Sequence, residues 1–137
     1  MLRRAKMSPQ DIVNIYCSKV RPVVEYAAPV WHPGLTQDLR DSIEDIQIRA
    51  LKIAVPTLTY EEALSVTGIP SLNCRRIQLC KLFFEKIQSP NDKLFRMLPP
   101  KKDNPRNTRS GGKFPLPKTS TKRFKDSFLP YAFYNLQ

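Results

Sequence analysis

The residues of this chain best suited to chemistry are one histidine, three cysteines and one pair of adjacent carboxylates. The stretch EYAAPVWHPGL, residues 25–35, holds the only Trp and the only His. Nucleophilic catalysis needs a base beside the nucleophile and a group that orients that base, and His32 has no obvious partners for either role. Glu61 and Glu62 would point about 100° apart on a helix, which disfavours a shared acid–base site. The sequence therefore predicts no catalytic residue.

Metal and cofactor chemistry is also weakly indicated. Cys17, Cys74, Cys80 and His32 could supply the Cys₃His ligand set of a structural zinc site, but they are scattered and contain no CxxC pair. Buried cysteines that act as small apolar residues are favoured instead. The chain also lacks a Gly-rich phosphate loop, a GxSxG motif, an HExxH motif and an EF-hand loop. We expect no metal and no cofactor.

Charge and composition limit the kind of protein. The chain has 137 residues, 41% of them hydrophobic, so it has room for one ordinary domain with a core. Its 23 Lys and Arg against 12 Asp and Glu give a net charge of +11, which favours a polyanionic partner such as nucleic acid. No apolar run approaches the roughly 20 residues that cross a bilayer. The odd, widely separated cysteines fit a reducing intracellular compartment, with nucleus and cytoplasm left open.

The apolar periodicity predicts an all-α fold, a small bundle of about four helices within residues 8–98. The first helix starts at the N-cap Ser8, with Pro9 in its first turn, and Pro22 is expected to kink it near residues 17–21. The second helix begins at Thr36 or Gln37 and closes before Pro56. The third is capped by Thr59 with Glu62 and ends at Gly68, and the fourth runs from about residue 72 to 88.

The Trp–His stretch itself is interpreted as a structural corner between the first two helices. Pro29 is expected to stop the first helix, since proline disrupts a helix interior. Trp31 would anchor the corner in the core, and Pro33 with Gly34 would turn the chain into the second helix.

From residue 99 the composition changes, and residues 99–137 hold nine Lys and Arg against two acids. This segment is predicted to be an irregular, basic, Pro-rich extension of the helical domain 1–98. Its candidate phosphate contacts are Lys101, Lys102, Arg106, Arg109, Lys113, Lys118, Lys122, Arg123 and Lys125, and its candidate stacking residues are Phe114 and Phe124. The alternative is a tail that wraps back on the helices through its aromatic residues and leaves its charges in water.

Three arginines of the helical region are further candidates. Arg75 and Arg76, beside Arg21, would extend a basic face if their helices are neighbours. A solvated helix face is the alternative for the same residues.

Several separated blocks of sequence resemble one protein family. They are Tyr16-Cys17-Ser18, Arg21-Pro22-Val23, Glu25-Tyr26-Ala27, Pro29 to Pro33, Arg49-Ala50-Leu51, YEEAL at 60–64, GIPSL at 68–72, Arg76 to Phe84 and the final SFLPYAFYNLQ. In this order they are similar to the segment that follows the polymerase core in reverse transcriptases of non-LTR retrotransposons, jockey-like elements in particular. The resemblance covers nearly the whole chain.

The resemblance implies a thumb-like helical region with a basic C-terminal extension that helps to hold template, primer or target nucleic acid. The Y/F-A-D-D motif that supplies the metal-binding aspartates of such polymerases has no counterpart here, so polymerase chemistry is carried onto no residue. We therefore expect a non-catalytic fragment that binds RNA, DNA or an RNA–DNA hybrid with little sequence preference. The alternative is a helical docking module that packs against a polymerase core absent from this chain and supplied in trans, with no independent activity.

Overall fold

The described part of the chain is built from helices joined by turns. A computed structural model describes residues 7–101 and 114–136, and every regular element in those ranges is helical, which confirms the all-α class. The chain divides into two compact units. Unit 1 comprises Met1–Ala27 and Leu35–Arg76, and unit 2 comprises Ala28–Gly34 and Ile77–Gln137. This division does not coincide with the boundary predicted at residues 98 and 99.

The first predicted helix is interrupted where the kink was expected. Helix α1 spans Pro9–Ile15, and its N-cap Ser8 accepts a hydrogen bond from the Asp11 amide at 3.2 Å. A π-helical turn, Tyr16–Val20, follows and leads into α2, Arg21–Glu25. Because Pro22 has no amide and its ring crowds the carbonyl four residues earlier, the wider π turn accommodates it without ending the helix.

The end of this helix differs from the prediction for Pro29. The break lies at Ala27, whose φ of +52° is in the left-handed region. Pro29 instead lies in the first turn of a new helix, α3, Ala28–Trp31, where a missing amide costs no hydrogen bond. A 3₁₀ turn, His32–Gly34, then redirects the chain as expected, and Trp31 is half-buried.

The next two helices confirm the predicted boundaries. Helix α4 spans Gln37–Ala54 with Thr36 as its N-cap. Helix α5 spans Tyr60–Thr67, with the predicted capping box between Thr59 and Glu62. Gly68 ends α5 at φ +66°, a conformation that glycine adopts without a steric penalty.

Unit 1 has its own apolar core. It is formed by α1, α4, α5 and the turn after α5, and its buried members are Ile12, Val13, Leu51, Ala54, Ala63 and Ile69. Helix α6, Leu72–Ile87, begins in unit 1 and continues into unit 2.

The C-terminal region is more regular than predicted. After a 3₁₀ segment, Lys93–Met97, it contains α7, Lys122–Lys125, and α8, Phe128–Asn135. The prediction of an irregular tail over residues 99–137 is therefore wrong for α7 and α8. Pro130 lies in the first turn of α8, where proline is tolerated.

Unit 2 has a core rich in aromatic rings. Its buried members are Phe84, Ile87, Phe114, Ala132 and Phe133. The Phe84 ring lies 6.0 Å from that of Phe114 and 5.8 Å from that of Phe133, both in edge-on geometry, with centroid separations that are typical of favourable aromatic pairs. Phe114, Phe128 and Phe133 of the basic segment thus pack on α6, as the alternative interpretation of the tail anticipated, whereas Phe124 and Tyr134 are exposed.

No helix within residues 7–101 or 114–136 is both long enough and apolar enough to span a membrane.

Candidate nucleic-acid interface

The positive charge of the chain is concentrated in unit 2. By sequence, unit 1 holds 10 Lys and Arg against 8 Asp and Glu, a net charge of +2, whereas unit 2 holds 13 against 4, a net charge of +9. All nine described Lys and Arg of unit 2 are exposed, and none is ion-paired to a described acid. This surface favours contact with a polyanion.

Helix α7 places three of these cations on a single helical turn. The Thr121 hydroxyl caps it by accepting a hydrogen bond from the Phe124 amide at 3.2 Å. The Ser127 hydroxyl closes the turn by donating to the Phe124 carbonyl at 2.7 Å. The side chains of Lys122, Arg123 and Lys125 all reach solvent from this turn. We call α7 with these three cations the basic turn.

Phe124, in the middle of the basic turn, is accessible and so remains a candidate for the predicted stacking role. Its side chain is 45% exposed. It lines an open apolar groove of about 570 Å³ whose other walls come from the 3₁₀ segment Lys93–Met97, the residues that follow it, and α8. Among the groove residues are Met97, Pro99, Phe124, Phe128, Pro130 and Phe133.

Phe114 does not keep its predicted role in stacking. Its ring is buried in the unit 2 core, so neither face is open to a base, and the prediction is corrected. The Lys101 ammonium lies 5.9 Å from the centroid of that ring, within cation–π range. Lys101 and Lys118 are exposed and so remain candidates for phosphate contact. Four other candidates, Lys102, Arg106, Arg109 and Lys113, lie outside the described residues.

The three arginines predicted to form a basic face have different environments. Arg21 and Arg75 both lie beside the same carboxylate, that of Glu25. Their Nε atoms are 3.8 and 3.1 Å from Glu25 Oε1. Glu25 therefore offsets part of their charge. Arg76 is fully buried, so it has no access to a phosphate and is withdrawn as a contact residue.

The Trp–His corner contributes structure to unit 2. His32 and Pro33 are buried, and the His32 ring lies 5.9 Å from the Tyr131 ring in edge-on geometry. Over residues 7–101 and 114–136, no three His, Cys, Asp or Glu side chains are grouped so as to hold a metal ion. The four possible zinc ligands, Cys17, His32, Cys74 and Cys80, thus form no such group.

A buried polar network in unit 1 was not predicted. Gln47, on α4, accepts a hydrogen bond from the Tyr16 hydroxyl at 2.8 Å. It donates to the Tyr60 hydroxyl at 3.1 Å and to the Pro70 carbonyl at 3.0 Å. The Tyr60 hydroxyl in turn donates to Glu44. Burial raises the pKa of both tyrosines, so their hydroxyls stay protonated and act as donors.

Glu44 connects this network to the start of α6. Its two carboxylate oxygens accept hydrogen bonds from the Leu72 amide at 2.9 Å and the Asn73 amide at 3.0 Å. These amides have no partner within the helix, and a negative charge at a helix N-terminus is favourable. An α4 carboxylate thereby caps a helix 28 residues further along the chain. The only sequence signal for this connection is the spacing of Glu44 and Gln47, which places them on one face of a helix.

Comparison with known proteins gives no relative: no family model matches the chain, and no curated protein or solved structure is significantly similar to it.

Proposed function

We propose that this chain is a non-catalytic nucleic-acid-binding protein whose contact surface lies on unit 2. The observation that carries the proposal is that all nine Lys and Arg of unit 2 within residues 77–101 and 114–136 are exposed, three of them on the basic turn. Lysine and arginine bind phosphates through charge and hydrogen bonds that do not depend on the base. RNA, DNA and RNA–DNA hybrids are therefore all candidate partners, with little preference for sequence.

We further propose that the chain corresponds to the thumb and post-thumb region of a jockey-like non-LTR retrotransposon reverse transcriptase. The support for this origin is the ordered set of sequence blocks that runs from Tyr16 to the final SFLPYAFYNLQ. In that setting the chain would hold nucleic acid beside a polymerase palm. Sequencing of the transcripts that encode it tests the origin: we expect a Y/F-A-D-D reading frame upstream, and an unrelated upstream frame would contradict it.

Nucleic-acid binding is tested by removing charge from the basic turn. In the triple variant Lys122→Gln, Arg123→Gln, Lys125→Gln, glutamine keeps the helical propensity but not the charges. The matched control, Lys19→Gln, Arg49→Gln, Lys52→Gln, removes three exposed charges from unit 1. Fluorescence anisotropy with labelled RNA, DNA and hybrid oligonucleotides, from about 50 to 200 mM salt, measures both affinity and its salt dependence.

The two triple variants should differ clearly. Each lost phosphate contact reduces the slope of log K against log salt by about 0.7 for a single strand and 0.9 for a duplex. We expect the unit 2 variant to lose two to three such contacts and the unit 1 variant to lose essentially none. Absence of binding by the unmodified chain at low salt, or equal effects of both variants, would contradict the proposal.

A second candidate function is docking onto a polymerase core supplied in trans. The observation in its favour is that Val23 of α2 and Tyr26, which follows α2, are 75% and 79% exposed. Exposed apolar side chains that form a contiguous patch commonly mark protein contacts. Circular dichroism separates the two functions: a broad, non-cooperative melt together with absent nucleic-acid binding favours docking, and a cooperative melt with binding favours the first function.

A further inference from the structure

The apolar groove of unit 2 lies directly beside the basic turn, and Phe124 belongs to both. Its neighbours in sequence, Arg123 and Lys125, are exposed cations, while its own ring forms part of the groove wall. An exposed aromatic ring flanked by cations is the arrangement that proteins use to bind single-stranded nucleic acid, with bases stacked on the ring and phosphates on the charges.

The groove has the size and chemistry of a ligand site. Its volume of about 570 Å³ lies within the usual range for small-molecule pockets. Its walls are almost entirely aromatic, aliphatic and proline side chains, and the hydroxyl of Ser127 on its lining is already donated to the Phe124 carbonyl. A flat, partly apolar group fits such a surface. Because the groove offers few polar groups that could hydrogen-bond to base edges, we expect it to discriminate little between bases.

We propose that this groove receives an unpaired base of a single-stranded nucleic acid, stacked on Phe124, while the basic turn holds the adjoining phosphates. The proposal rests on the nucleic-acid-binding function above and specifies its substrate as single-stranded. The bases of a duplex are already paired and stacked, so they cannot enter the groove without an unpairing cost. The cations beside the groove favour an anionic chain over a neutral peptide as the occupant.

An abasic oligonucleotide separates base stacking from phosphate binding. We would measure the affinity of the full chain for a 12-nucleotide oligo(dT) and for a 12-nucleotide strand of abasic sites, which carries the same phosphates without bases. Stacking on one aromatic ring should make oligo(dT) bind about 5- to 150-fold more tightly. A 12-base-pair duplex should compete for the chain less well than oligo(dT) does.

Substitution of Phe124 tests the assignment to this residue. Phe124→Ala should abolish the preference for oligo(dT) over the abasic strand, and Phe124→Tyr, which keeps an aromatic face, should retain it. Leu82→Ala is the matched control, because Leu82 is an exposed apolar residue of unit 2 that does not line the groove. If the alanine variant fails to fold by circular dichroism, Phe124→Leu removes the ring while it fills most of the volume.

The outcomes distinguish this inference from the function on which it rests. Equal binding of oligo(dT) and the abasic strand would overturn base stacking and leave phosphate binding intact. A preference that survives in Phe124→Leu or Phe124→Ala would overturn the role of Phe124. Displacement of oligo(dT) by a Pro-rich neutral peptide more readily than by a second oligo(dT) would assign the groove to protein instead. Failure to bind either strand would overturn the proposed function as well.

Discussion

Gln47 is the residue on which the polar interior of unit 1 most depends. It is fully buried, and its side-chain amide joins Tyr16, Tyr60 and the Pro70 carbonyl through three hydrogen bonds. A buried polar group that loses its partner costs more than the bond itself contributed. The network therefore also fixes one arrangement of α4, the π turn and the start of α6, because few other packings satisfy every member.

Replacement of Gln47 by leucine should strongly destabilise the chain. Leucine has a similar volume but leaves the Tyr16 hydroxyl and the Pro70 carbonyl without a partner, at about 1–3 kcal/mol for each buried group. We expect a loss of roughly 2–4 kcal/mol in the free energy of unfolding, measured by urea denaturation. Gln78→Leu, at an exposed position of α6, is the control and should change it by less than about 0.5 kcal/mol. Similar losses in the two variants would contradict the role given to the network.

The fate of individual site residues shows what residue type alone leaves undecided. Phe114 and Phe124 are the same amino acid in the same basic segment, yet one is in the core and the other faces a groove. Arg75 and Arg76 are adjacent, yet one is half-exposed beside Glu25 and the other is buried. Burial depends on contacts with distant segments, so local composition predicted the charge of the surface but not which members reach it.

At the scale of elements, local signals were sufficient wherever a helix end is made by neighbouring residues. The caps at Ser8, Thr36, Thr59 and Gly68 all lie where the sequence predicted them, since each bond spans only a few residues. The errors concern proline. Pro29 was predicted to stop a helix but lies in the first turn of α3, and Pro130 likewise lies in the first turn of α8, where no hydrogen bond is lost. In α8 the spacing of Phe128, Leu129, Ala132 and Phe133 was already helical.

The capping box of α5 should make stability depend on pH. The Thr59 amide donates to the Glu62 carboxylate at 2.9 Å, and this bond, followed by that of the Thr59 hydroxyl, lowers the pKa of Glu62 below its ordinary 4.5. A depressed folded-state pKa gives stability that is complete above the unfolded value and lost as the pH falls through the folded one.

Glu62→Gln tests this dependence, because the amide caps the helix without titrating. The stability difference between the unmodified chain and the variant should be constant at neutral pH and shrink as the pH falls below 4.5. Thermal melts from pH 7 to pH 3 measure it. Glu61→Gln, one residue earlier and exposed, is the control, because Glu61 takes no part in the capping box. A difference that grows on acidification would contradict the assigned cap.

At the scale of the whole molecule, the assignment of chain segments to the two units could not be predicted from the sequence. The short segment Ala28–Gly34 belongs to unit 2 although unit 1 surrounds it in the chain, and α6 contributes to both units. Such assignments depend on contacts between residues far apart in sequence. Composition did predict the excess of charge at the C-terminal end, and unit 2 gathers it, with +9 of the total +11.

This asymmetry predicts where a bound nucleic acid perturbs the chain. In an amide NMR titration with oligo(dT) at about 150 mM salt, where weak surface attraction is screened beyond roughly 8 Å, we expect shifts to concentrate in residues 118–136. Exposed cations of unit 1, such as Lys19, Arg49 and Lys52, should shift little, because eight acids offset the charge of that unit. The triple variant of the basic turn should lose most of the shifts in unit 2. Comparable shifts in both units would mean that the nucleic acid follows total charge and not the surface of unit 2.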